Sequence, residues 1–152
     1  MPPMELTVQQ LMTPYPIVVD VATPIAQCAR LMDARDIGAL GVMDEGRLVG
    51  VLTDRDIVTR AVGRELDPRE ITAGDVATKE VVAVAPAASI AEAERNMRER
   101  AVRRLFVVAE DGRPLGIITV DDLIAIRDPY SIVAKQIREW DMVRSDQGYS
   151  GD

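Results

Sequence analysis

Histidine is absent from this sequence. The absence excludes catalytic triads built on an imidazole, and it removes the usual general base near neutral pH and the commonest zinc ligand. An enzyme would have to use carboxylates, tyrosine, or a lysine such as Lys79 or Lys135. No nucleophile is paired with a base in the sequence, so we expect a protein without catalytic activity.

Cysteine and long apolar segments are also scarce. Cys28 is the single cysteine, so no internal disulfide is expected. It stands in the apolar pattern of a predicted helix, which favours a buried core residue over a reactive thiol. No apolar run approaches the roughly 20 residues of a membrane span. The first residues lack the basic and apolar regions of a signal peptide, so we expect a cytoplasmic protein without a membrane partner.

Basic residues are outnumbered, 18 against 25 acidic ones, and the net charge is −7. This balance argues against binding to nucleic acid or to anionic membranes, because phosphate binding depends on clustered lysine and arginine. The chain has 152 residues, of which 47% are hydrophobic and 28% charged. Such values are typical of one compact globular domain, or of two small units that share a core.

An internal repeat organises most of the chain. Residues 17–32 match residues 82–97 at an offset of 65, and residues 36–47 match residues 101–113 with one residue inserted before Gly112. Beyond the insertion GVLTDRDI matches GIITVDDL at an offset of 66. Two copies of the same pattern in the same order predict two structurally similar halves.

Each half predicts a β-α-β-β-α unit. A short β-branched run is followed by a proline turn, and then by apolar residues at helical spacing. A strand, a turn with Gly46 or Gly112, and a returning strand lead into the second helix. Short helical pieces, VQQLM and AGDVA, precede the first strands. A half of this size buries little alone, so we expect a three-stranded sheet in each half and the two halves packed sheet to sheet.

The predicted fold class is therefore α+β, with layers of the α/β type and a pseudo-twofold arrangement of the repeats. Asp128-Pro129 is a helix start signal, and Ile132, Val133, Ile137 and Trp140 follow near helical spacing. We divide the chain into a first repeat (6–60), a linker (61–74), a second repeat (75–127), a C-terminal helix (128–144) and a disordered tail (145–152).

The pattern glycine-hydrophobic-x-threonine-x-x-aspartate occurs at 50–56 and again at 116–122. It resembles the signature of CBS domains, the cystathionine beta-synthase type. The segments LMTPYPIVV and VRRLFVV add to the resemblance, which covers about residues 6–127. The size resembles that of small stand-alone bacterial CBS pairs, including the hypoxic-response type.

This resemblance implies a tandem CBS pair, or Bateman module, with two symmetry-related clefts between the repeats. Many members bind AMP, ADP, ATP, S-adenosylmethionine or NAD there and regulate a partner protein, and modules commonly form homodimers. It thus implies a regulatory module that needs no cofactor. The alternative is a ligand-free structural or interaction dimer of the hypoxic-response type.

Thr53 with Asp56, and Thr119 with Asp122, allow two interpretations. As helix caps, each threonine accepts the amide three residues on and each aspartate favours the helix dipole, an effect of about 1 kcal/mol. As ligand groups, the aspartate accepts a ribose diol, while the threonine and free amides contact ribose or phosphate oxygens. Capping and ligand binding do not exclude each other.

The two predicted sites differ in charge. By family analogy, Arg103 and Arg55 serve the site of Thr119 and Asp122, which makes it the stronger phosphate site. Arg104 follows Arg103 on a predicted strand and therefore faces the other way. The site of Thr53 and Asp56 has Gly38 in place of Arg103, and Asp121 near its phosphate end.

The resemblance also assigns the adenine pockets. Ile17 and Val18 line the stronger site, and Val81 and Val82 line the weaker one. Where nucleotide-binding members often carry a proline on the second strand, Gly41 and Phe106 stand here, and Phe106 would either stack on a base or fill the cleft. The clustered aspartates form a poor magnesium cage without phosphates or waters, so we predict no metal site.

Overall fold

The computed structural model describes residues 6–128. In chain order the elements are α1 (Val8–Leu11), β1 (Thr13–Pro14), β2 (Val18–Asp20), α2 (Ile25–Arg35), β3 (Ala39–Asp44), β4 (Arg47–Thr53), α3 (Asp54–Arg60), a 3-10 turn (Val62–Arg64), α4 (Ala73–Val76), β5 (Ala83–Val84), α5 (Ile90–Arg100), β6 (Arg104–Val108), β7 (Pro114–Thr119) and α6 (Val120–Arg127). The predicted α+β class is confirmed. The predicted C-terminal helix beyond Asp128, and the predicted tail, lie outside the described residues.

Two compact units divide the described chain. The first-repeat unit contains residues 17–81 and 111–113. The second-repeat unit contains residues 6–16, 82–110 and 114–128. Each holds the predicted β-α-β-β-α order and its own apolar core.

The first-repeat unit is built on a three-stranded sheet in the order β2-β3-β4. Strand β2 runs parallel to β3, and β3 runs antiparallel to β4. Helix α2 buries Ile25, Cys28 and Met32, three residues at helical spacing, against this sheet's core. Burial raises the pKa of the Cys28 thiol. The thiol therefore stays protonated near neutral pH, in agreement with the predicted core role.

The second-repeat unit has a sheet of four strands, in the order β1-β7-β6-β5, where three were expected. The additional strand β1 lies near the start of the first repeat in sequence and pairs antiparallel with β7. Gly116 permits this close approach, since a Cβ built there would lie 2.4 Å from Met12 Sδ and 2.7 Å from the Thr13 carbonyl oxygen. Two residues are too few to show strand alternation, which is why the sequence pattern did not reveal β1.

The short helix near the start of each repeat belongs to the unit of the other repeat. Val8 of α1 is fully buried in the core of the second-repeat unit. Ala73 and Val76 of α4 are buried in the core of the first-repeat unit, together with Ala61. The repeat boundaries assigned from sequence stay predictions. No helix within residues 6–128 combines the length and apolar character that crossing a membrane requires.

Candidate functional site

The Thr119–Asp122 element forms a complete capping box at the start of α6. Thr119 Oγ1 accepts the Asp122 amide at 3.3 Å, and the Thr119 amide donates to Asp122 Oδ2 at 2.9 Å. The Thr119 hydroxyl also lies 3.0 Å from Asp122 Oδ2, so it donates to the carboxylate. These bonds fix the carboxylate at the helix start, half-buried, as the sequence predicts.

The Thr53–Asp56 element has the same geometry at the start of α3. The Asp56 amide donates to Thr53 Oγ1 at 3.1 Å, and the Thr53 amide donates to Asp56 Oδ2 at 3.0 Å. Asp56 Oδ1 also lies 3.8 Å from Arg60 Nη1. The predicted caps are therefore confirmed in both repeats, and the first copy has a cation beside its carboxylate.

Two further capping boxes occur in the described chain. Thr72 and Asp75 cap α4, with the Thr72 amide 2.9 Å from Asp75 Oδ2, and Thr7 and Gln10 cap α1. Sequence reasoning did not single these out, although a threonine followed three residues later by an acid or amide is the signal for them. A capping box by itself is therefore no evidence of a ligand site. Such evidence has to come from the residues around the box.

Arg103 lies beside the box of the second-repeat unit. The Val120 amide donates to the Arg103 carbonyl oxygen at 3.0 Å, which places Arg103 next to the start of α6. Arg104 pairs with Thr119 across β6 and β7. Both arginines are exposed. The structure thus brings together Thr119, Asp122 and Arg103, three of the six residues predicted for the stronger site.

Gly38 takes the place of Arg103 in the first-repeat unit. The Asp54 amide donates to the Gly38 carbonyl oxygen at 3.0 Å, and a Cβ on Gly38 would lie 3.1 Å from Asp54 Oδ2. The Asp54 carboxylate therefore lies close to the position that Arg103 takes in the other repeat. A carboxylate there would oppose a phosphate, and the ranking of this site as the weaker one stays a prediction.

The remaining predicted residues are distributed over both units. Ile17, Val18 and Arg55 belong to the first-repeat unit, and Val82 belongs to the second-repeat unit. Val18 is 38% exposed, while Ile17 and Val82 pack on the cores of their own units. Val81 is half-buried in the first-repeat unit. Their assignment to adenine pockets, and that of Arg55 to a phosphate, stays a prediction.

Arg60 was missed by sequence reasoning. Its Nη1 donates to the Val76 carbonyl oxygen at 3.0 Å and to Thr78 Oγ1 at 3.2 Å, close to Asp56. It thereby ties the carboxylate of the first box to the chain after α4. The spacing of four residues between Asp56 and Arg60 on one helix face was the available signal.

Phe106 is a core residue. It pairs with Ala83 and Ile117 in the sheet of the second-repeat unit, and its side chain is 1% exposed. Gly41, its counterpart in the first-repeat unit, is buried between Val18 and Val51. Of the two roles considered for Phe106, this burial agrees with filling space and leaves no ring face open to a base.

Residues 6–128 contain no group of three or more histidine, cysteine, aspartate or glutamate side chains that could hold a metal ion. Asp56 and Asp122, at the starts of α3 and α6, cap their own helices. That the protein has no metal site stays a prediction.

Comparison with known proteins identifies the class of this fold. A family model for the CBS domain matches residues 8–63 and 73–128. These two matches span most of the chain and coincide with the two copies of the repeat. The chain belongs to the CBS domain family, and it carries a tandem pair of these domains, as the resemblance predicts.

One relative and two solved structures show what this chain is similar to. Hypoxic response protein 1 of Mycobacterium tuberculosis is 40% identical over 110 residues, which cover 72% of this chain and 76% of that protein. A crystal structure of hypoxic response protein I with two coordinated zinc ions has a TM-score of 0.72 and 38% identity, over 78% of this chain and 97% of that one. The cytosolic domain of the Mg²⁺ channel MgtE in complex with ATP has a TM-score of 0.68 and 32% identity, over 79% of this chain and 48% of that one.

Proposed function

We propose that this protein is a non-catalytic regulatory CBS pair that binds an adenosine-type ligand at the Thr119–Asp122 box. The ligand class comprises AMP, ADP, ATP, S-adenosylmethionine and NAD. The protein acts in the cytoplasm as a homodimer and passes the ligand signal to a regulated partner. Ligand binding changes the partner only through its different affinity for two states of the module.

The observation that carries this proposal is the set of groups at the start of α6. Thr119 holds the Asp122 carboxylate at the start of α6, and the exposed residue Arg103 accepts the neighbouring Val120 amide at its backbone carbonyl. Hydrogen bonds to a charged group contribute about 1.5–3 kcal/mol each. In the first-repeat unit Gly38 takes the place of Arg103 and the Asp54 carboxylate lies beside it, which makes that box the poorer candidate for an anionic ligand.

The ATP complex of the MgtE cytosolic domain supports the ligand class, because that domain is 32% identical to this chain. The CBS family of this chain supports the regulatory role. Ile17, Val18 and Arg55 complete the proposed site, and Thr53, Asp56, Gly38, Val81 and Val82 form the proposed weaker one.

Isothermal titration calorimetry of the full chain against AMP, ATP, S-adenosylmethionine and NADH tests the proposal. We expect heat from at least one of them, and a tenfold or greater loss of affinity in Asp122→Ala, equal to about 1.4 kcal/mol. Asp75→Ala is the matched control, since it breaks the same capping box at α4. Each substitution removes a carboxylate at a helix start and is expected to lower the stability of that helix end.

Equal ligand affinity in Asp122→Ala and Asp75→Ala would reject the assignment of the site. No heat with any of the four ligands at millimolar concentration would reject the ligand class. Mass spectrometry of small molecules released from the purified protein gives an independent identification.

A second candidate function is a ligand-free interaction dimer. The burial of Phe106 and the 40% identity to hypoxic response protein 1 favour it. Under this hypothesis Asp122→Ala changes stability alone, and none of the four ligands binds. A nucleotide that copurifies with the protein in stoichiometric amount would contradict it.

A further inference from the structure

The chain leaves the first-repeat unit through residues 76–81, which we call the connector. Residue 81 still belongs to the first-repeat unit, and residue 82 belongs to the second-repeat unit. Val76 and Ala77 at the start of the connector are buried, whereas Lys79 and Glu80 are exposed. The attachment of the connector at Thr78 therefore comes immediately before an exposed stretch.

Thr78 attaches the connector to β4 through the backbone. The Val51 amide donates to the Thr78 carbonyl oxygen at 2.9 Å, and the Thr78 amide donates to the Val51 carbonyl oxygen at 2.9 Å. A Cβ on Gly50 would lie 3.1 Å from the Thr78 carbonyl oxygen, so the glycine of the repeated pattern admits this approach. The bridge is an isolated residue pair, without the support of a longer ladder, so side-chain contacts matter for holding the connector.

Arg60 supplies such a contact from the last turn of α3. Its Nη1 donates to the Val76 carbonyl oxygen at 3.0 Å and to Thr78 Oγ1 at 3.2 Å. Asp56 Oδ1 lies 3.8 Å from the same nitrogen, and the Asp56 side chain is only 14% exposed. Solvent therefore screens this carboxylate less than one on the open surface. Its charge favours the position in which the Arg60 guanidinium reaches the connector.

The second repeat has an apolar residue at the position of Arg60. Helices α3 and α6 correspond at an offset of 66, which puts Ile126 at that place. An isoleucine side chain has no hydrogen-bond donor, so it cannot make the contacts of Arg60. The partnership of the box with a helix-end cation is thus a property of the first repeat.

We propose that Asp56 and Arg60 form a latch that holds the connector on β4, and that release of the latch frees residues 76–81. The carboxylate that caps α3 then also controls the point where the chain leaves the first-repeat unit. A ligand accepted by Asp56 would compete with Arg60 for the carboxylate, a consequence that rests on the proposed function. The latch itself does not depend on ligand binding.

Cleavage after Lys79 reports directly on the connector, because Lys79 and Lys135 are the two lysines of the chain. Lysyl endopeptidase acts on the opened segment, and its rate follows the population of the open form when closing is fast. Arg60→Met removes both hydrogen bonds at similar side-chain length and should raise the rate of cleavage after Lys79 about tenfold. Arg64→Met, at an exposed arginine of the 3-10 turn, is the matched control and should leave that rate unchanged.

A double-mutant cycle tests the part of Asp56 in the latch. Asp56→Asn keeps an oxygen for the Thr53 amide and removes the charge, so it should raise the cleavage rate by less than Arg60→Met does. Asp56→Asn combined with Arg60→Met should be cleaved at the rate of Arg60→Met alone, because the carboxylate acts through Arg60. Asp33→Asn, at an exposed aspartate of α2, controls for the loss of a charge. Effects that multiply in the double variant would overturn the latch.

Hydrogen exchange separates opening of the connector from unfolding of the whole unit. In Arg60→Met the amides of Val51 and Thr78 should exchange faster, because they form the bridge. The amides of Leu40 and Val42 in β3 should exchange as in the native chain. Equal acceleration in β3, or a native rate of cleavage after Lys79 in Arg60→Met, would overturn the proposal.

Discussion

At the scale of single residues, the threonine–aspartate box has two separable properties. It caps a helix at Thr53, Thr72 and Thr119 alike, with the same pair of hydrogen bonds in each. What differs is the neighbourhood: Arg60 beside the first, Arg103 beside the third. The capping box therefore stabilises the start of its helix in every copy. Whether a ligand binds depends on the residues around the box.

Asp75 makes the stability of its box sensitive to acid. Hydrogen bonds from the Thr72 backbone, and then its side chain, hold the Asp75 pKa below its ordinary value of 3.8. A lowered folded-state pKa means that the ionised carboxylate stabilises the fold above pH 3.8, and that this contribution disappears as the pH falls through the folded value. Asp75→Asn should therefore be less stable than the native chain at pH 7, with the difference shrinking below pH 3.8.

Urea unfolding at a series of pH values measures this difference. Asp33→Asn is a suitable control, because Asp33 is exposed and belongs to no capping box. A stability difference for Asp75→Asn that stays constant from pH 7 to pH 2.5 would show that the carboxylate is not linked to folding.

Phe106 has a large stabilising effect for a single side chain. Removal of a buried aromatic ring leaves a cavity and costs about 3–5 kcal/mol. Phe106→Ala should lower the free energy of unfolding by that amount in urea titrations, and Phe106→Leu should lower it by much less. A loss below 1 kcal/mol in Phe106→Ala would indicate that the ring is not packed in the native protein.

At the scale of elements, the contact between β1 and β7 depends on the absence of a side chain at Gly116. Gly116→Ala places a methyl group against Met12 and the Thr13 carbonyl group, and overpacking of this kind costs about 1–3 kcal/mol. Gly46→Asn is the control, since Gly46 has φ 79° and open space around it, and asparagine tolerates that conformation. Thermal unfolding followed by circular dichroism should show a lower melting temperature for Gly116→Ala alone.

Long helices and strands could be predicted from the sequence, and very short ones could not. Helices α2 and α5 each have 11 residues, which is three turns of apolar spacing, and both were predicted. Strand β1 has two residues and carries no periodicity. The boxes at Thr53 and Thr119 were predicted from the spacing of three that capping fixes, and the Thr72–Asp75 box of the same spacing was missed. The approach of Arg60 to Thr78 was not predicted, because it depends on tertiary packing across 18 residues of sequence.

At the scale of the whole molecule, the second-repeat unit depends on residues from the start of the first repeat. Val8 is fully buried in its core, and β1 forms one edge of its sheet. Removal of residues 1–16 should therefore weaken the second-repeat unit while leaving the core of the first-repeat unit intact. Hydrogen exchange should become faster at the amides of β6 and β7 and stay unchanged in β3 and β4. Equal acceleration in both sheets would contradict this division.

The position of β1 also has a consequence for synthesis of the chain. Ribosomes extend chains at about 5–20 residues per second, and domains generally fold as units in order of synthesis. Residues 6–16 emerge before the rest of the described chain, yet their partner strand β7 begins at Pro114, about a hundred residues later. The first-repeat unit can bury its core before β7 is synthesised and pairs with β1. Nascent chains of increasing length should accordingly gain protease resistance in the first-repeat unit before residues 6–16 become protected.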